Sequence, residues 1–213
     1  MPRTRIKICG LTRIDDALAA AHAGADAIGL VMFAASPRAV AMPRAREIGA
    51  AMPAFVSVVA LFVNEAPQVV SEFVAAVRPS LLQFHGDEDE AYCRQFGVPY
   101  LKAIRVDDKM GPGDLLECES RFRSARGLLL DTLAPGMYGG SGRTFDWDRI
   151  PPAMRSRIVL SGGLNPSNVA SAVKRLRPWA VDVSSGVETA EKGIKDLRKI
   201  AKFIEAVNNA DAC

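Results

Sequence analysis

Two residues capable of acid–base chemistry end apolar segments of the chain. Cys9 follows an apolar stretch and precedes Gly10, and Asp131 follows residues 128–130. A helix beginning near Thr12 would lower the pKa of the Cys9 thiol and supply a thiolate base. Burial of Asp131 would disfavour its charged form, which suits a general acid. Simpler roles remain open, since a buried Cys commonly acts as a small hydrophobe and Asp131 can cap the following turn.

Two later segments, 161–168 and 183–188, combine glycines with small hydroxyl side chains. Such loops present backbone N–H groups to phosphate, and they commonly do so after the last two strands of a (β/α)8 barrel. The alternative is that these glycines only make tight turns. Neither GxxxxGK[ST] nor GxGxxG occurs, which excludes a Walker nucleotide site and a dinucleotide fingerprint. The segments therefore predict a phosphorylated ligand, held by the two loops that contain Gly162, Gly163, Ser184, Ser185 and Gly186.

Other polar residues stand close to apolar runs. Arg38 would either remain solvated or grip a carboxylate with two hydrogen bonds, a geometry that Lys does not copy. Gln83 lies inside an apolar run and needs a hydrogen-bond partner, from a ligand or from neighbouring backbone. His85 follows the same run. The Gly-rich segment 136–147, which includes Ser141, predicts either a mobile lid or a plain connector.

Eight short apolar runs are available to position these residues. Most are continuously hydrophobic, as in strands buried on both faces. Helical patterns separate the runs and give a repeating step of about 25 residues. Eight such steps predict one (β/α)8 barrel domain over residues 1–213, with a doubly wound open sheet as the alternative. The runs cover residues 5–9, 27–32, 56–63, 81–84, 101–104, 128–130, 158–160 and 180–183.

The barrel prediction gives the polar residues a common location. Active sites of such barrels form at the carboxyl ends of the strands, and the polar residues singled out above follow or end the runs. Asp182, in the eighth run, joins them. For the first helix, Thr12 with Asp15 predicts an N-cap and Gly24 predicts the end.

Composition restricts the partners. The 213 residues include 27 Lys and Arg against 24 Asp and Glu, a net charge of +3 that is too small for a dedicated nucleic-acid binder. The N-terminus lacks the apolar core of a signal peptide, and the longest uncharged run, 48–64, contains Pro53, so no membrane span is expected. The four cysteines are spaced as neither a disulfide scaffold nor a metal motif, which favours a reducing, cytoplasmic location. The expected partner is a small molecule.

The chain closely resembles the phosphoribosylanthranilate isomerase family of tryptophan biosynthesis. The matching motifs run in family order along essentially the whole chain, which makes the resemblance more specific than a shared fold. They are KICGLT at 7–12, GLVMF at 29–33 with SPR at 36–38, LQFHG at 82–86, LLLDT at 128–132, GGSGRTFDW at 139–147, LSGGLNPSNV at 160–169 and VDVSSGVE at 181–188.

The resemblance implies an Amadori rearrangement of N-(5-phosphoribosyl)anthranilate to 1-(2-carboxyphenylamino)-1-deoxyribulose 5-phosphate, with no cofactor and no metal. It implies that Cys9 is the general base, Asp131 the general acid and Arg38 the residue that holds the anthranilate carboxylate. The five glycine and serine residues named above match the phosphate site. Further substrate contacts are expected from Gln83, His85, Ser141 and Asp182.

Rival interpretations share the barrel. A sister phosphosugar isomerase or epimerase is one, although the histidine-pathway isomerase resembles a two-Asp design and Cys9 argues against it. A flavin-binding barrel would use the same loops for a flavin phosphate. A barrel that only binds a phosphorylated metabolite would not need both Cys9 and Asp131. A monomer and a homodimer are equally compatible with the sequence.

Overall fold

Eight parallel strands follow one another in chain order around a closed barrel in the computed structural model, which describes residues 3–132 and 144–212. The strands are β1 Arg5–Cys9, β2 Ala27–Val31, β3 Ser57–Phe62, β4 Leu81–Phe84, β5 Tyr100–Val106, β6 Gly127–Thr132, β7 Val159–Leu160 and β8 Ala180–Val183. The barrel closes where β1 pairs with β8, from Arg5 beside Ala180 to Ile8 beside Val183. The (β/α)8 prediction is confirmed, and an open sheet is excluded by this pairing.

The strands lie within a few residues of the predicted runs. The largest differences are at two strands: β6 ends at Thr132, beyond the predicted run at 128–130, and β5 continues through Arg105 to Val106, beyond the predicted run at 101–104. The charge of Arg105 hides this extension in the sequence. In the structure the Arg105 guanidinium pairs with Asp87, so the strand continues without an unpaired charge.

Helices follow the strands and cover the outside of the barrel. None of those described has the length and apolar character needed to cross a membrane. The helices are α1 Ile14–Ala23, α2 Met42–Ala51, α3 Pro67–Val77, α4 Glu90–Arg94, α5 Pro112–Arg121, α6 Pro152–Arg155, α7 Val169–Leu176 and α8 Leu197–Asp211, with short 3-10 turns at Trp147–Arg149 and Ser185–Val187.

The first helix ends as predicted but begins differently. Gly24 ends α1 in the left-handed conformation, with φ at 107°. The predicted N-cap at Thr12 is wrong, because Arg13 occupies the N-cap position and no side chain caps the helix. The Thr12 hydroxyl instead donates a 2.8 Å hydrogen bond to the carbonyl of Gly193. Thr12 therefore ties the loop after β1 to the segment before α8.

The strand pleat divides side chains between two cores. Alternate residues such as Ile6 and Ile8 point outward into the large layer between strands and helices. The other set fills the barrel interior in two apolar groups. The lower group contains Leu101, Ala103, Leu129, Val159 and Ala180, and the upper group contains Cys9, Val31, Leu61 and Val63. The upper group lies in the same part of the barrel as the polar residues that end the strands.

Candidate active site

A cavity at the carboxyl ends of the strands collects most of the predicted site residues. It has apolar walls from Val31, Leu61 and Val63. Polar side chains enter it from β1, β4, β6 and β8 and from the loops after β2, β7 and β8. The predicted residues that line it are Cys9, Arg38, Gln83, His85, Asp131, Asp182 and Ser184.

Asp131, the last residue but one of β6, lies inside this cavity and is only 3% exposed. Its Oδ1 accepts a 2.8 Å hydrogen bond from the backbone N–H of Thr132, so the capping contact considered from the sequence is present. Its Oδ2 lies 3.2 Å from Nε2 of His85. Gly162 packs against the carboxylate, since a Cβ there would lie 3.0 Å from Oδ1. One oxygen is thus fixed by backbone, and the other faces the imidazole.

Gln83 and His85 point the same way from β4 because they are two residues apart. The amide nitrogen of Gln83 lies 3.0 Å from Nδ1 of His85. Gln83 therefore has a hydrogen-bond partner, but this partner is a side chain and not the ligand or backbone group that the sequence suggested. Nε2 of His85 faces Asp131 without hydrogen-bond geometry. Oε1 of Gln83 and Oγ1 of Thr132 are likewise buried without a partner in the part of the chain that the structure describes. Buried polar atoms without partners are uncommon, and this group marks a place for a ligand.

Cys9 ends β1 with its thiol in the cavity. Burial raises the pKa of this thiol above its ordinary value, and the ammonium group of Lys7 opposes the rise. The predicted lowering of the thiol pKa by a helix N-terminus is wrong, because burial dominates and α1 begins only at Ile14. The groups that favour the thiolate are Lys7 and, more weakly, Lys195.

Lys7 was missed in the sequence, although it lies two residues before Cys9 and therefore on the same side of β1. Its Nζ donates a 2.8 Å hydrogen bond to Oδ1 of Asp182 in the barrel interior. Oδ2 of Asp182 accepts a 3.2 Å hydrogen bond from the Ser161 hydroxyl. Asp182 thus lies at the cavity as predicted, with each carboxylate oxygen already bound to a protein group.

Arg38 reaches the cavity from the loop after β2. Its Nε and Nη2 donate hydrogen bonds of 2.7 and 2.8 Å to the two carboxylate oxygens of Glu188. Lys195 donates to the same carboxylate at 3.0 Å. Burial tends to raise the pKa of Glu188, but the hydrogen bond from Arg38 and the charge of Lys195 outweigh it and lower the pKa to about 2. Glu188 and Lys195 were missed, although Glu188 is the last residue of the motif at 181–188.

Gly10 makes room for this arginine. A Cβ at Gly10 would lie 2.6 Å from Cδ of Arg38 and 2.9 Å from Oγ of Ser184. The backbone φ of +72° also favours glycine. The residue after Cys9 therefore lets the arginine stem and the loop after β8 approach β1.

The loops after β7 and β8 meet as predicted. Within residues 3–132 and 144–212, the N–H groups of Gly162 and Gly163 donate no hydrogen bond. The 3-10 turn Ser185–Val187 begins beside them, and the first N–H groups of a helix lack intrahelical partners. A Cβ at Gly186 would lie 2.0 Å from the carbonyl of Leu164, so only glycine allows this approach. The loops together offer N–H donors suited to an anion.

Some predictions fall outside the described residues. Ser141 lies there, as do residues 136–143 of the proposed lid segment. In the rest of the chain, no three His, Cys, Asp or Glu side chains gather into a metal-binding group.

The closed barrel, with a thiol and a carboxylic acid side chain in one cavity at the carboxyl ends of its strands, defines a (β/α)8-barrel enzyme. A family model identifies the kind of enzyme. The model described as N-(5'phosphoribosyl)anthranilate (PRA) isomerase matches residues 6–206, and the chain belongs to this family.

Relatives and solved structures agree with the family. The chain is 58% identical over 210 residues to N-(5'-phosphoribosyl)anthranilate isomerase of Dechloromonas aromatica strain RCB, with 98% of each chain covered. The structure is similar to phosphoribosyl anthranilate isomerase from Thermotoga maritima, with a TM-score of 0.86, 41% identity and coverage of 97% of this chain and 99% of that one. A second structure of such an isomerase is bound to reduced 1-(o-carboxyphenylamino)-1-deoxyribulose 5-phosphate. It has a TM-score of 0.80 and 37% identity, and covers 97% of this chain and 99% of that one.

Proposed function

We propose that this enzyme converts N-(5'-phosphoribosyl)anthranilate to 1-(2-carboxyphenylamino)-1-deoxyribulose 5-phosphate in tryptophan biosynthesis. The observation that carries the proposal is that Cys9 and Asp131 line one cavity together with Arg38 and Ser184, and that the glycine loops after β7 and β8 meet. An acid, a base and two anion sites are the groups that this rearrangement of a doubly anionic substrate requires. The solved relative that holds a reduced form of the product supports the same assignment.

Asp131 acts first as the general acid. In its neutral form it protonates the ribose ring oxygen, and the bond from that oxygen to C1 breaks as the anthranilate nitrogen forms a protonated Schiff base. Oδ1 is held by the Thr132 N–H at 2.8 Å, and His85 lies 3.2 Å from Oδ2. The hydrogen bond from Thr132 restrains the rotation of the carboxyl group and so limits the directions in which the proton is delivered.

Cys9 acts second as the general base. Its thiolate removes the proton from C2, and the electron pair moves to form a C1–C2 double bond while the protonated nitrogen accepts charge. The resulting enolamine becomes the product when C1 gains a proton and the C2 hydroxyl becomes a carbonyl. A positioned acid or base contributes about 10²–10⁴-fold to such a step.

Two anion sites hold the substrate for these proton transfers. Arg38 faces the anthranilate carboxylate, while the N–H groups of Gly162, Gly163, Ser185 and Gly186, with the hydroxyl of Ser184, face the phosphate. Anchoring both ends limits the motion of the reacting carbons and supplies much of the remaining rate enhancement. We place Gln83, His85 and Asp182 beside the sugar.

The setting of the enzyme is also proposed. The cysteines Cys9, Cys93 and Cys118 are free thiols, which fits a reducing cytoplasm. The enzyme needs no nucleic acid or membrane partner for this reaction, and it works as a monomer or as a homodimer. One solved relative, from Thermotoga maritima, is described as a dimeric phosphoribosylanthranilate isomerase from which monomers were made.

The test is to follow the loss of anthranilate-substrate fluorescence with purified protein. The unmodified protein should consume the substrate, and Cys9→Ser and Asp131→Asn should each lower kcat by at least about 10²-fold. Cys118→Ser and Asp15→Asn, which alter the same residue types away from the cavity, should retain the activity. Wild-type turnover by a folded Cys9→Ser or Asp131→Asn variant would contradict the roles, and no turnover by the unmodified protein would contradict the function.

A further inference from the structure

A buried ion pair lies inside the barrel directly beneath the proposed base. Lys7 is 4% exposed and Asp182 is 5% exposed, and their charged groups are 2.8 Å apart. The two residues are register partners where β1 and β8 close the barrel. Burying two charges is expensive, and replacing such a pair with apolar residues is often neutral or stabilising. The pair therefore calls for an explanation other than stability.

The position of Lys7 relative to Cys9 supplies that explanation. Both side chains point into the barrel from β1, and both crowd the space beside Gly29 on β2. A Cβ at Gly29 would lie 2.6 Å from Sγ of Cys9 and 3.1 Å from Cε of Lys7. The missing side chain at Gly29 thus leaves a space in which the lysine stem runs beside the sulfur.

We propose that Lys7 is a positioning residue for Cys9: it holds a positive charge beside the sulfur and stabilises the thiolate, while Asp182 fixes the ammonium group in place. The proposal rests on the proposed role of Cys9 as the base. Lys7 does not line the cavity within the described part of the chain, so it acts through the thiol.

The charges around Cys9 come from several elements. Lys7 on β1 and Asp182 on β8 lie below it, and Lys195 approaches from the segment before α8. Arg38, His85 and Asp131 line the same cavity.

Among these charged groups, Lys7 lowers the pKa of the Cys9 thiol most and so opposes the effect of burial, whereas Asp182 raises this pKa further. Burial also tends to lower the pKa of Lys7, but attraction to Asp182 and Cys9 outweighs it and raises that pKa, so the lysine remains charged.

The experiment measures the thiol directly. Cys9 alkylation by iodoacetamide is followed against pH by mass spectrometry of the Cys9 peptide, which separates it from the other cysteines. The double variant Lys7→Met with Asp182→Asn removes the charges without leaving a buried carboxylate unpaired. Its alkylation midpoint should rise by about one pH unit or more, because the cation contributes more than the anion. Lys7→Arg should restore a midpoint close to that of the unmodified protein.

A matched control is available on the other side of the barrel wall. Lys102 and Glu88 also form a buried ion pair, 2.9 Å apart, but neither contributes to the environment of Cys9. The double variant Lys102→Met with Glu88→Gln should leave the Cys9 midpoint unchanged. A merely structural role for Lys7 predicts the same result for both double variants.

Activity gives an independent signature. The thiolate is the active form, so the acid limb of the kcat/KM profile of the Lys7 variant should move to higher pH together with the alkylation midpoint. An unchanged midpoint in the folded Lys7 double variant overturns the proposal. Burial raises the pKa of the Cys93 thiol to about 12. An alkylation midpoint of Cys9 as high as this in the unmodified protein would also overturn the proposal.

The Cys9→Ser variant separates this proposal from the proposed function. Full activity of Cys9→Ser would show that Cys9 is not the base, whereas the alkylation midpoint would still report whether Lys7 stabilises the thiolate.

Discussion

The guanidinium of Arg38 and the carboxylate of Glu188 form two hydrogen bonds, of 2.7 and 2.8 Å, at the mouth of the cavity. A bidentate pair fixes the plane of the guanidinium as well as its position. Only Nε and Nη2 are used, and Nη1 has no partner among residues 3–132 and 144–212. Glu188 thus holds the arginine by one edge and leaves a donor for a ligand carboxylate.

Removal of the charge at Glu188 should weaken substrate binding more than turnover. In Glu188→Gln the charge-assisted hydrogen bonds become weaker, and Arg38 is free to leave the cavity. We expect KM for N-(5'-phosphoribosyl)anthranilate to rise about tenfold while kcat changes less than about threefold, since the arginine orients the substrate but moves no proton. Steady-state kinetics measures both values.

A surface arginine–glutamate pair provides the control for that variant. Arg44 and Glu47 on α2 are 2.8 Å apart, but both side chains are largely exposed and far from the cavity. Glu47→Gln should leave KM unchanged. If Glu188→Gln also retains the KM of the unmodified protein, Glu188 does not position Arg38.

The pH dependence of stability should report the same pair. The pKa of Glu188 is lowered to about 2 from an ordinary value of 4.5, so its ion pairs stabilise the fold fully above pH 4.5. This contribution is lost as the pH falls through about 2. The Tm difference between the unmodified protein and Glu188→Gln should therefore be largest near neutral pH and shrink between pH 4.5 and 2. A difference that is constant over this range, measured by circular dichroism, would show that folding does not lower the pKa of Glu188 and that its ion pairs do not stabilise the fold.

The sequence is sufficient to predict the barrel because its strands are buried on both faces. Apolar runs such as 158–160 mark them, and β5 and β6 extend furthest beyond their runs, through Arg105 and through Asp131 to Thr132. The residues at the strand ends are equally readable, since Cys9 and Asp131 interrupt apolar segments. The neighbours that determine the pKa of Cys9, such as Lys7 and Asp182, could not be identified from the sequence in the same way.

Three-dimensional pairing accounts for the parts that sequence reasoning missed. Glu188 lies 150 residues from Arg38, and Asp182 lies 175 residues from Lys7, so no local pattern joins either pair. The spacing of Lys7 and Cys9 was the one available signal, because residues two apart on a strand share a face. The direction of the Cys9 pKa was predicted wrongly because the depth of burial at a strand end depends on all eight strands.

The approach of the two glycine loops should be required for phosphate binding. In Gly186→Ala the new methyl group would lie 2.0 Å from the carbonyl oxygen of Leu164. Because this oxygen belongs to the backbone, no side-chain rotation relieves the clash and the loop itself must move. We expect the loops to separate and the N–H donors to diverge. KM for the substrate should rise at least about tenfold, and competitive inhibition by inorganic phosphate should weaken by a similar factor.

Gly113, a glycine with free space around it, provides the control. Alanine at this position tests whether any glycine-to-alanine change weakens phosphate binding. A methyl group added at Gly113 on α5 would meet no atom of another described element within 4 Å, and alanine there should stabilise the helix by up to about 1 kcal/mol. Phosphate inhibition of Gly113→Ala should equal that of the unmodified protein. Equal inhibition of Gly186→Ala would place the phosphate elsewhere.

Gly29 should control the position of the proposed base. A methyl group there would lie 2.6 Å from Sγ of Cys9 and 3.1 Å from Cε of Lys7, so both side chains must shift. The backbone of Gly29 has no positive φ, so its conformation suits alanine, but the new methyl group would also lie 3.1 Å from Cα of Cys9, and β1 must shift by a few tenths of an ångström. A displacement near 1 Å of a catalytic group costs about 10²-fold.

We therefore expect Gly29→Ala to lower kcat by at least about tenfold with little change in KM, because Gly29 lies within β2 and not in the loops that carry the anion sites. The measurement is the fluorescence assay, together with circular dichroism to show that the barrel is folded. Alkylation of Cys9 in this variant should also move to higher pH, since the lysine is pushed from the sulfur. A folded Gly29→Ala variant with the kcat of the unmodified protein would mean that the thiol position seen here does not govern proton removal from C2.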